Sequence, residues 1–188
     1  KARDEKRKEL LLKSKDILLV TCTRVTKGKN IEKLIDIISK LIETSEYNIK
    51  YLMIGFGNDK YSRSLKKYIK AKKNNQNFIL LPFLNHEEVN KYYCASDIGV
   101  WPRAAISIQE SMGTGLPIIT PRRDTISHII KDNMNGILYK KHLSVEIKKM
   151  LRLINDLKSP LSKSKRNILA EKNRDFLSYD VISMKLIK

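Results

Sequence analysis

The stretch SIQESMGTGLPIIT at residues 107–120 joins a short helical pattern to an apolar strand through a run of small residues. Glu110 lies three residues after Ser107, a spacing typical of a capping box, in which the two side chains bind free amides at a helix start. The alternative is a nucleotide site, with phosphate at the helix start and Glu110 on sugar hydroxyls. Taken alone, the stretch favours the capping box.

Strand-like runs before and after this stretch alternate with helical patterns. Residues 16–24 form an apolar, β-branched run of strand length, and residues 31–42 place isoleucine and leucine at helical spacing. Further strand-like runs occupy residues 49–55, 77–83, 97–102, 116–120 and 137–139. The alternation indicates βαβ units. It predicts an α/β fold, a Rossmann-like parallel sheet of about six strands with helices on both faces.

The length and composition fit one domain. The 188 residues suffice for a single well-buried core. Residues 1–14 are predicted to form a charged lead-in helix, and residues 144–188 the C-terminal helices. No apolar run approaches the roughly 18 residues that span a bilayer, and the first residues show no signal-peptide pattern. Cys22 and Cys94 lack metal-ligand spacing, so we expect reduced thiols in a cytoplasmic protein.

The formal net charge of +18 permits several anionic partners. Such a balance favours nucleic acid, anionic lipid surfaces or phosphorylated small molecules. Lysines recur through most of the predicted helices instead of forming one tract, and scattered lysines are typical of solvated helix faces. The charge therefore permits these partners without choosing among them.

In a parallel sheet of this kind, ligands bind in the loops that follow the carboxyl ends of the strands. The loop after the first strand holds Arg24 and Lys29, a pair that suits a diphosphate, although an ordinary basic loop has the same composition. The loop after the second strand holds Gly55 and Gly57, which permit either close approach of a ligand or a tight turn. A third glycine is missing, so this is not the dinucleotide fingerprint.

The loops after the third and fourth strands add a candidate base site and a candidate phosphate site. Pro82 and Phe83 could offer a flat surface and backbone groups to a base, whereas Phe83 could equally be a core residue beside a helix N-cap at Asn85. After the fourth strand, a helix start offers the amides of residues 105–109 to a pyrophosphate. Glu110, one turn further on, could reach a ribose diol.

Five segments resemble, in chain order, the C-terminal, donor-binding half of a glycosyltransferase family 4 (group 1) enzyme, which has the two-domain GT-B architecture. They are TRVTKGKNIEKLI, LMIGFGND, FILLPFLNHEEVNKYYCASDIGVWP, SIQESMGTGLPIIT and DNMNGILY. They are similar to the family's arginine–lysine loop, glycine turn, strand–helix–strand unit, glutamate-containing helix and Asn-Gly turn. The resemblance covers nearly the whole chain.

The resemblance implies a role for each candidate residue. Arg24 and Lys29 would be the catalytic residues, which bind the donor diphosphate and stabilise the departing nucleotide. Glu110 would hold the ribose, and the amides of Ser107 and Ile108 would bind phosphate. The other donor-binding positions are Gly55, Gly57, Pro82, Phe83, Leu84, Ala105, Ile106 and Gln109, with the backbone of residues 82–84 at the base.

The resemblance also implies the reaction and its setting. A UDP- or GDP-linked sugar of the hexosyl type would be transferred to a glycan or lipid-linked acceptor with retention of configuration, in cell-surface polysaccharide synthesis. Neither a metal nor another cofactor is expected, because cations and a helix dipole replace the metal. The expected location is the cytoplasm, with peripheral attachment at the anionic inner face of the membrane. The N-terminal acceptor domain is expected to be absent from this chain, which would leave the fragment inactive alone.

The sequence departs from the family pattern at one place, and two alternative functions remain. Pro102 occupies the position of the family's first glutamate, and alanines follow where polar residues are expected. A nucleotide-sugar epimerase of the same architecture is an alternative, because a fold does not fix its reaction. A basic nucleic-acid-binding module ranks below the enzyme, because the aromatic residues Tyr92, Tyr93 and Trp101 are predicted at core positions or strand ends instead of on a stacking surface.

Overall fold

Six parallel strands form one sheet in the computed structural model of the chain, which describes residues 2–178. The strands are β1 (Ile17–Cys22), β2 (Ile49–Phe56), β3 (Phe78–Pro82), β4 (Ile98–Val100), β5 (Ile118–Pro121) and β6 (Gly136–Tyr139). Their order across the sheet is β3-β2-β1-β4-β5-β6, with every neighbouring pair parallel. The predicted Rossmann-like α/β sheet is confirmed.

Helices connect the strands, as the alternating pattern predicts. They are α1 (Ala2–Glu9), α2 (Ile31–Thr44), α3 (Lys60–Lys70), α4 (His86–Ala95), α5 (Ser107–Met112), α6 (Asp124–Ser127), α7 (Leu143–Asn155) and α8 (Arg166–Leu177), with 3-10 turns at Asn75–Asn77 and Lys163–Lys165. The lead-in helix predicted over residues 1–14 already ends at Glu9, because the chain turns where Leu11 adopts a left-handed φ of 54°. The helices predicted over residues 144–188 are α7 and α8, and residues 179–188 lie outside the described part of the chain.

The side chains of β1 alternate between two buried layers, and this places helices on both faces of the sheet. Ile17 and Leu19 belong to the core that packs beneath α2 and α7, whereas Leu18 and Val20 belong to the core beneath α4 and α5. All four side chains are at most 1% exposed. A strand covered on both faces needs no polar side, which is why residues 17–20 form a continuous apolar run.

The strand order reverses between β1 and β4, which are neighbours in the sheet. We call the edge formed by the carboxyl ends of the strands the carboxyl rim, and the opposite edge the amino rim. In sheets of this class a crevice opens at the carboxyl rim where the order reverses. The loops at residues 23–30 and 101–106 follow β1 and β4, so both lie at this point.

A buried carboxylate organises the amino rim. The Asp97 side chain is 1% exposed and accepts hydrogen bonds from the Leu18 N–H at 2.8 Å and from the guanidinium groups of Arg3 and Arg7 at 2.6 and 3.1 Å. Arg166 lies beside this cluster and donates to backbone carbonyls at the end of α4 and before β5. Burial lowers the pKa of Arg166 to about 10, which still leaves it charged at neutral pH. Arg3, Arg7 and Arg166 therefore have partners within the chain.

Candidate functional site

Side-chain hydrogen bonds tie the loop after β4 to the end of β1. The Ser107 hydroxyl donates to the Cys22 carbonyl oxygen at 2.7 Å, and the Trp101 indole N–H lies 3.0 Å from the same oxygen and 3.1 Å from the Ser107 hydroxyl. Further out, the Arg103 guanidinium donates to the Gly28 carbonyl at 2.9 Å. The two loops therefore form one continuous surface where the strand order reverses.

Three basic side chains come together on this surface. The Lys29 ammonium donates to the Thr23 hydroxyl at 2.7 Å, which fixes its position above the end of β1. Burial lowers the pKa of Lys29 below its ordinary value, and the charges of Arg24 and Arg103 lower it further. Among the side chains that the structure describes, no carboxylate forms an ion pair with Arg24 or Lys29. The surface therefore carries concentrated positive charge that the described part of the chain does not neutralise.

Gly55 brings the end of β2 against the loop after β1. Its φ is 115°, and a Cβ atom there would lie 2.2 Å from the Thr23 carbonyl oxygen. The Gly55 carbonyl accepts a hydrogen bond from the Val25 N–H at 3.0 Å. Gly57 has a different role, because its N–H donates to the Ser62 hydroxyl at 3.2 Å near the start of α3. Both glycines thus shape the backbone around Arg24.

A cleft of about 340 Å³ opens beside Arg24. We call it the aromatic cleft, because Phe83 forms part of its wall. Arg24, Val25, Thr26, Gly57, Asp59 and Phe83 line it. Phe83 is 56% exposed, and the Arg24 guanidinium carbon lies 5.9 Å from the centre of its ring. The interpretation of Phe83 as a core residue is therefore wrong. An exposed ring beside a guanidinium offers a flat surface to a planar ligand.

The residues next to Phe83 anchor the loop that holds it. Pro82 ends β3 opposite Phe56 and is exposed, whereas Leu84 is half-buried and packs against the core beneath α4. Asn85 is the N-cap of α4, as predicted, since its side chain accepts a hydrogen bond from the Glu88 N–H at 2.9 Å. The loop is thus held at both ends while its ring faces outward.

The capping box predicted at the start of α5 is wrong, and two of the amides predicted to bind phosphate are already hydrogen-bonded. Ser107 forms no capping box with Glu110, because its hydroxyl is engaged by the Cys22 carbonyl and the position before the helix is Ile106 in helical conformation. The amides of Ile108 and Gln109 are not free either, since they donate to the carbonyls of Ala105 and Ile106 at 3.1 and 2.9 Å. Any phosphate contact at this helix would use the amides that precede Ile108.

Glu110 instead faces the loop after β3. Its carboxylate lies 3.2 Å from the His86 imidazole Nδ1, and the two side chains are 37% and 92% exposed. His86, Glu87, Asn90, Tyr93 and Glu110 line a further cleft of about 340 Å³. The partner is exposed and easily displaced, so Glu110 remains accessible to a ligand with hydroxyl groups.

Residues 2–176 match the family model described as glycosyl transferases group 1. The chain belongs to this family. Spore coat protein SA of Bacillus subtilis (strain 168) is 30% identical over 177 residues, which is 88% of this chain and 45% of that protein. The chain therefore spans about half the length of the curated relative that it matches.

Solved structures share the fold. HepE from Anabaena, solved in complex with UDP, superposes with a TM-score of 0.76 at 15% identity, over 99% of this chain and 51% of that one. TarM from S. aureus, solved with UDP among its ligands, superposes with a TM-score of 0.69 at 20% identity, over 90% of this chain and 34% of that one. At these identities the structures establish the fold alone.

The fold brings together most of the residues that the family motifs single out. Arg24, Lys29 and Ser107 lie on one surface, with Glu110 one turn into the same helix. Sequence reasoning missed Arg103 because its contact with Gly28 depends on the approach of two distant loops. The position of Arg103 in the loop after β4 was the one sequence feature that could have marked it as a site residue.

The structure also bears on the expectations about a metal ion, a membrane-spanning helix and an aromatic surface for nucleic acid. In residues 2–178, no group of three or more His, Cys, Asp or Glu side chains could hold a metal ion, and metal independence stays a prediction. No helix in the same part of the chain is long and apolar enough to cross a bilayer. Tyr92, Tyr93 and Trp101 are at most 7% exposed, which confirms them as core residues and removes them as a stacking surface.

Proposed function

We propose that the chain is the C-terminal, donor-binding half of a retaining glycosyltransferase of family 4, which transfers a hexosyl group from a UDP- or GDP-linked sugar. The observation that supports this best is the meeting of Arg24, Lys29 and the start of α5 where the strand order reverses. The chain belongs to a glycosyltransferase family, and HepE and TarM have both been solved with UDP.

In this proposal the cations stabilise the leaving nucleoside diphosphate. Sugar transfer breaks the bond between the sugar and the diphosphate, so negative charge grows on the phosphate oxygens. The Arg24 guanidinium can bind two oxygens at once, and Lys29, held by Thr23, supplies a point charge. Fixed cations aimed at developing charge are commonly the largest catalytic contribution. These two residues would therefore lower the barrier without a metal ion.

The nucleoside would lie across the aromatic cleft and the cleft beside Glu110, which are lined by Phe83 and His86 at the two ends of the loop after β3. Phe83 offers its exposed ring to the base, with the backbone of residues 82–84 beside it. Glu110 would accept hydrogen bonds from the ribose diol, and His86 would move aside because it is almost fully exposed. The His86 Nδ1 atom lies 3.2 Å from the Glu110 carboxylate, so a polar group can approach this carboxylate closely.

The whole enzyme would need parts beyond this domain. A separate N-terminal domain would bind a glycan or lipid-linked acceptor, so the chain alone would be inactive. Pro102 is buried at the position of the family's first glutamate, which leaves the sugar contacts to other groups. The proposed setting is cell-surface polysaccharide synthesis at the cytoplasmic face of the membrane, where the net charge of +18 would favour anionic lipid.

Calorimetric titration with UDP, GDP and ADP tests the donor site directly. We expect one diphosphate to bind, and Arg24→Ala to weaken it by about ten- to a hundredfold because a charge-assisted, two-oxygen contact is lost. Arg24→Lys should recover only part of the affinity. Lys67→Ala, on the exposed face of α3, is the matched control and should bind as the parent does. Absence of binding by all three nucleotides would refute the proposal.

A further inference from the structure

A third cleft at the carboxyl rim has no role in the proposed donor site. It holds about 260 Å³ above the ends of β5 and β6, between the start of α2 and the start of α7. We call it the basic cleft and define it by Asn30, Lys33, Arg123, Tyr139, Lys140 and Lys141. It shares no lining residue with the aromatic cleft, and Arg24 and Lys29 do not line it.

The described side chains give the basic cleft a positive charge. Lys33, Arg123, Lys140 and Lys141 line it, and no carboxylate does so among the side chains that the structure describes. Among the side chains described in residues 2–178, none of the four forms an ion pair. The neighbouring Arg122 contrasts with them, because it is paired with Asp132. Four cations that repel one another around a single cleft provide strong attraction for an anion.

The backbone of α2 adds to this positive field. The helix has 14 residues, and Asn30 before it adopts a left-handed conformation without capping the helix through its side chain. The first helical hydrogen bond runs from the Leu34 N–H to the Asn30 carbonyl at 3.1 Å, so the amides of residues 31–33 have no helix carbonyl to bind. Asn30 and Lys33 line the cleft, which places the positive end of the α2 dipole there.

Tyr139 provides a neutral hydrogen-bond donor in the same wall. Its side chain is half-buried, and burial raises the pKa of the phenol while the charge of Arg123 opposes that change. The phenol therefore keeps its proton at neutral pH. A hydroxyl, four cations and uncapped amides together match an anion with several oxygens better than a single carboxylate.

We propose that the basic cleft binds a phosphate group, as a second anion site beside the donor diphosphate site. The phosphate would belong either to a soluble phosphate ester or to a lipid headgroup. Leu34 and Leu143 give the cleft an apolar floor, which suits a small ester better than a bare hydrated ion. Pro102 also lines the cleft and follows β4, so the basic cleft adjoins the loop at residues 101–106 that leads to the proposed donor site.

Titration of the ¹⁵N-labelled chain with glycerol 3-phosphate, followed by amide chemical shifts, tests the proposal. The titration is done with and without saturating UDP, and with neutral glycerol as the reference ligand. The test variant is the double substitution Arg123→Gln with Lys141→Gln, which removes two exposed cations of the cleft. Its matched control is Lys67→Gln with Lys70→Gln, which removes two exposed cations from α3. A second arm measures flotation with phosphatidylglycerol vesicles against phosphatidylcholine vesicles.

We expect glycerol 3-phosphate to shift the amides of residues 31–33 and 139–141, and the test variant to bind about tenfold more weakly than the control. If only phosphatidylglycerol vesicles bind, with the same loss in the test variant, the phosphate is that of a lipid headgroup and the proposal holds. Equal weakening in both variants would identify a nonspecific surface and overturn it, as would absence of binding in both arms. UDP affinity is recorded separately, so failure of the donor site is distinguishable from failure of the basic cleft.

Discussion

The two rims of the sheet are both basic, but they use their positive charge in opposite ways. At the amino rim, Arg3 and Arg7 converge on the buried carboxylate of Asp97. At the carboxyl rim, Arg24 is exposed and Lys29 is half-buried, and among the side chains that the structure describes no carboxylate pairs with either. The first group holds α1 against the sheet, whereas the second is available to a ligand.

This contrast explains what the net charge of +18 does in this molecule. Cations with buried partners contribute to stability, because removing the partner leaves several charges uncompensated. Cations without partners are unfavourable until an anion arrives: burial lowers the pKa of Lys29, and repulsion by Arg24 and Arg103 lowers it further. We therefore expect substitutions of the paired residues at the amino rim to change the stability of the fold. Substitutions of the cations at the carboxyl rim should instead change ligand binding.

The largest expected effect is at the amino rim. Asp97→Ala removes the acceptor for the Leu18 N–H and the partner of Arg3 and Arg7, and should lower the free energy of unfolding by about 3–5 kcal/mol. Denaturant unfolding measures it. The control is Asp132→Asn, which breaks the exposed pair with Arg122 and should change stability by less than about 1 kcal/mol. Equal effects from the two variants would remove the distinction between buried and exposed pairs.

The next effect concerns the backbone of the carboxyl rim. Gly55→Ala places a Cβ atom 2.2 Å from the Thr23 carbonyl oxygen at a φ of 115°, and should destabilise the fold by about 2–4 kcal/mol. Gly28→Ala is the matched control, since its φ is also positive, at 83°, but the space around it is open. We expect about 1 kcal/mol there. Thermal unfolding measures both variants. If they lose the same stability, the positive φ alone, and not the close approach of the two backbones, restricts position 55 to glycine.

The smallest effect is a pH dependence at Lys29. Its pKa in the free protein lies below the ordinary 10.5, and a bound diphosphate would raise it again. Nucleotide affinity should therefore be constant below the free-state pKa and weaken as the pH rises through it, by at most about tenfold per pH unit. Folding stability should rise over that range, because the folded state gains when a half-buried ammonium that is also repelled by two cations loses its charge.

Calorimetric titration between about pH 8 and pH 10, where the phosphate groups of UDP are fully ionised, measures this dependence. In Lys29→Arg the affinity should stay level, because a guanidinium keeps its proton across the whole range. A profile that falls equally in the parent and in Lys29→Arg would assign the dependence to another group.

The sequence located the fold well because its signals are local. The apolar run of β1 and the helical spacing in α2 both follow from burial of one segment against its neighbours. The Asn85 cap was also readable, since its partner Glu88 is three residues away. The capping box at Ser107 failed for the opposite reason, because the Cys22 carbonyl, 85 residues earlier in the chain, competes for the same hydroxyl.

What the sequence determined by itself is the alternation of strands and helices and the placing of Arg24, Lys29 and Glu110 in or after loops at strand ends. Only the tertiary structure decided which cations have partners. Asp97 pairs with Arg3 and Arg7, which lie 94 and 90 positions earlier in the chain, while Phe83 is turned outward beside Arg24. Pairing and exposure depend on distances between segments far apart in the chain, and periodicity along one segment contains no information about those distances.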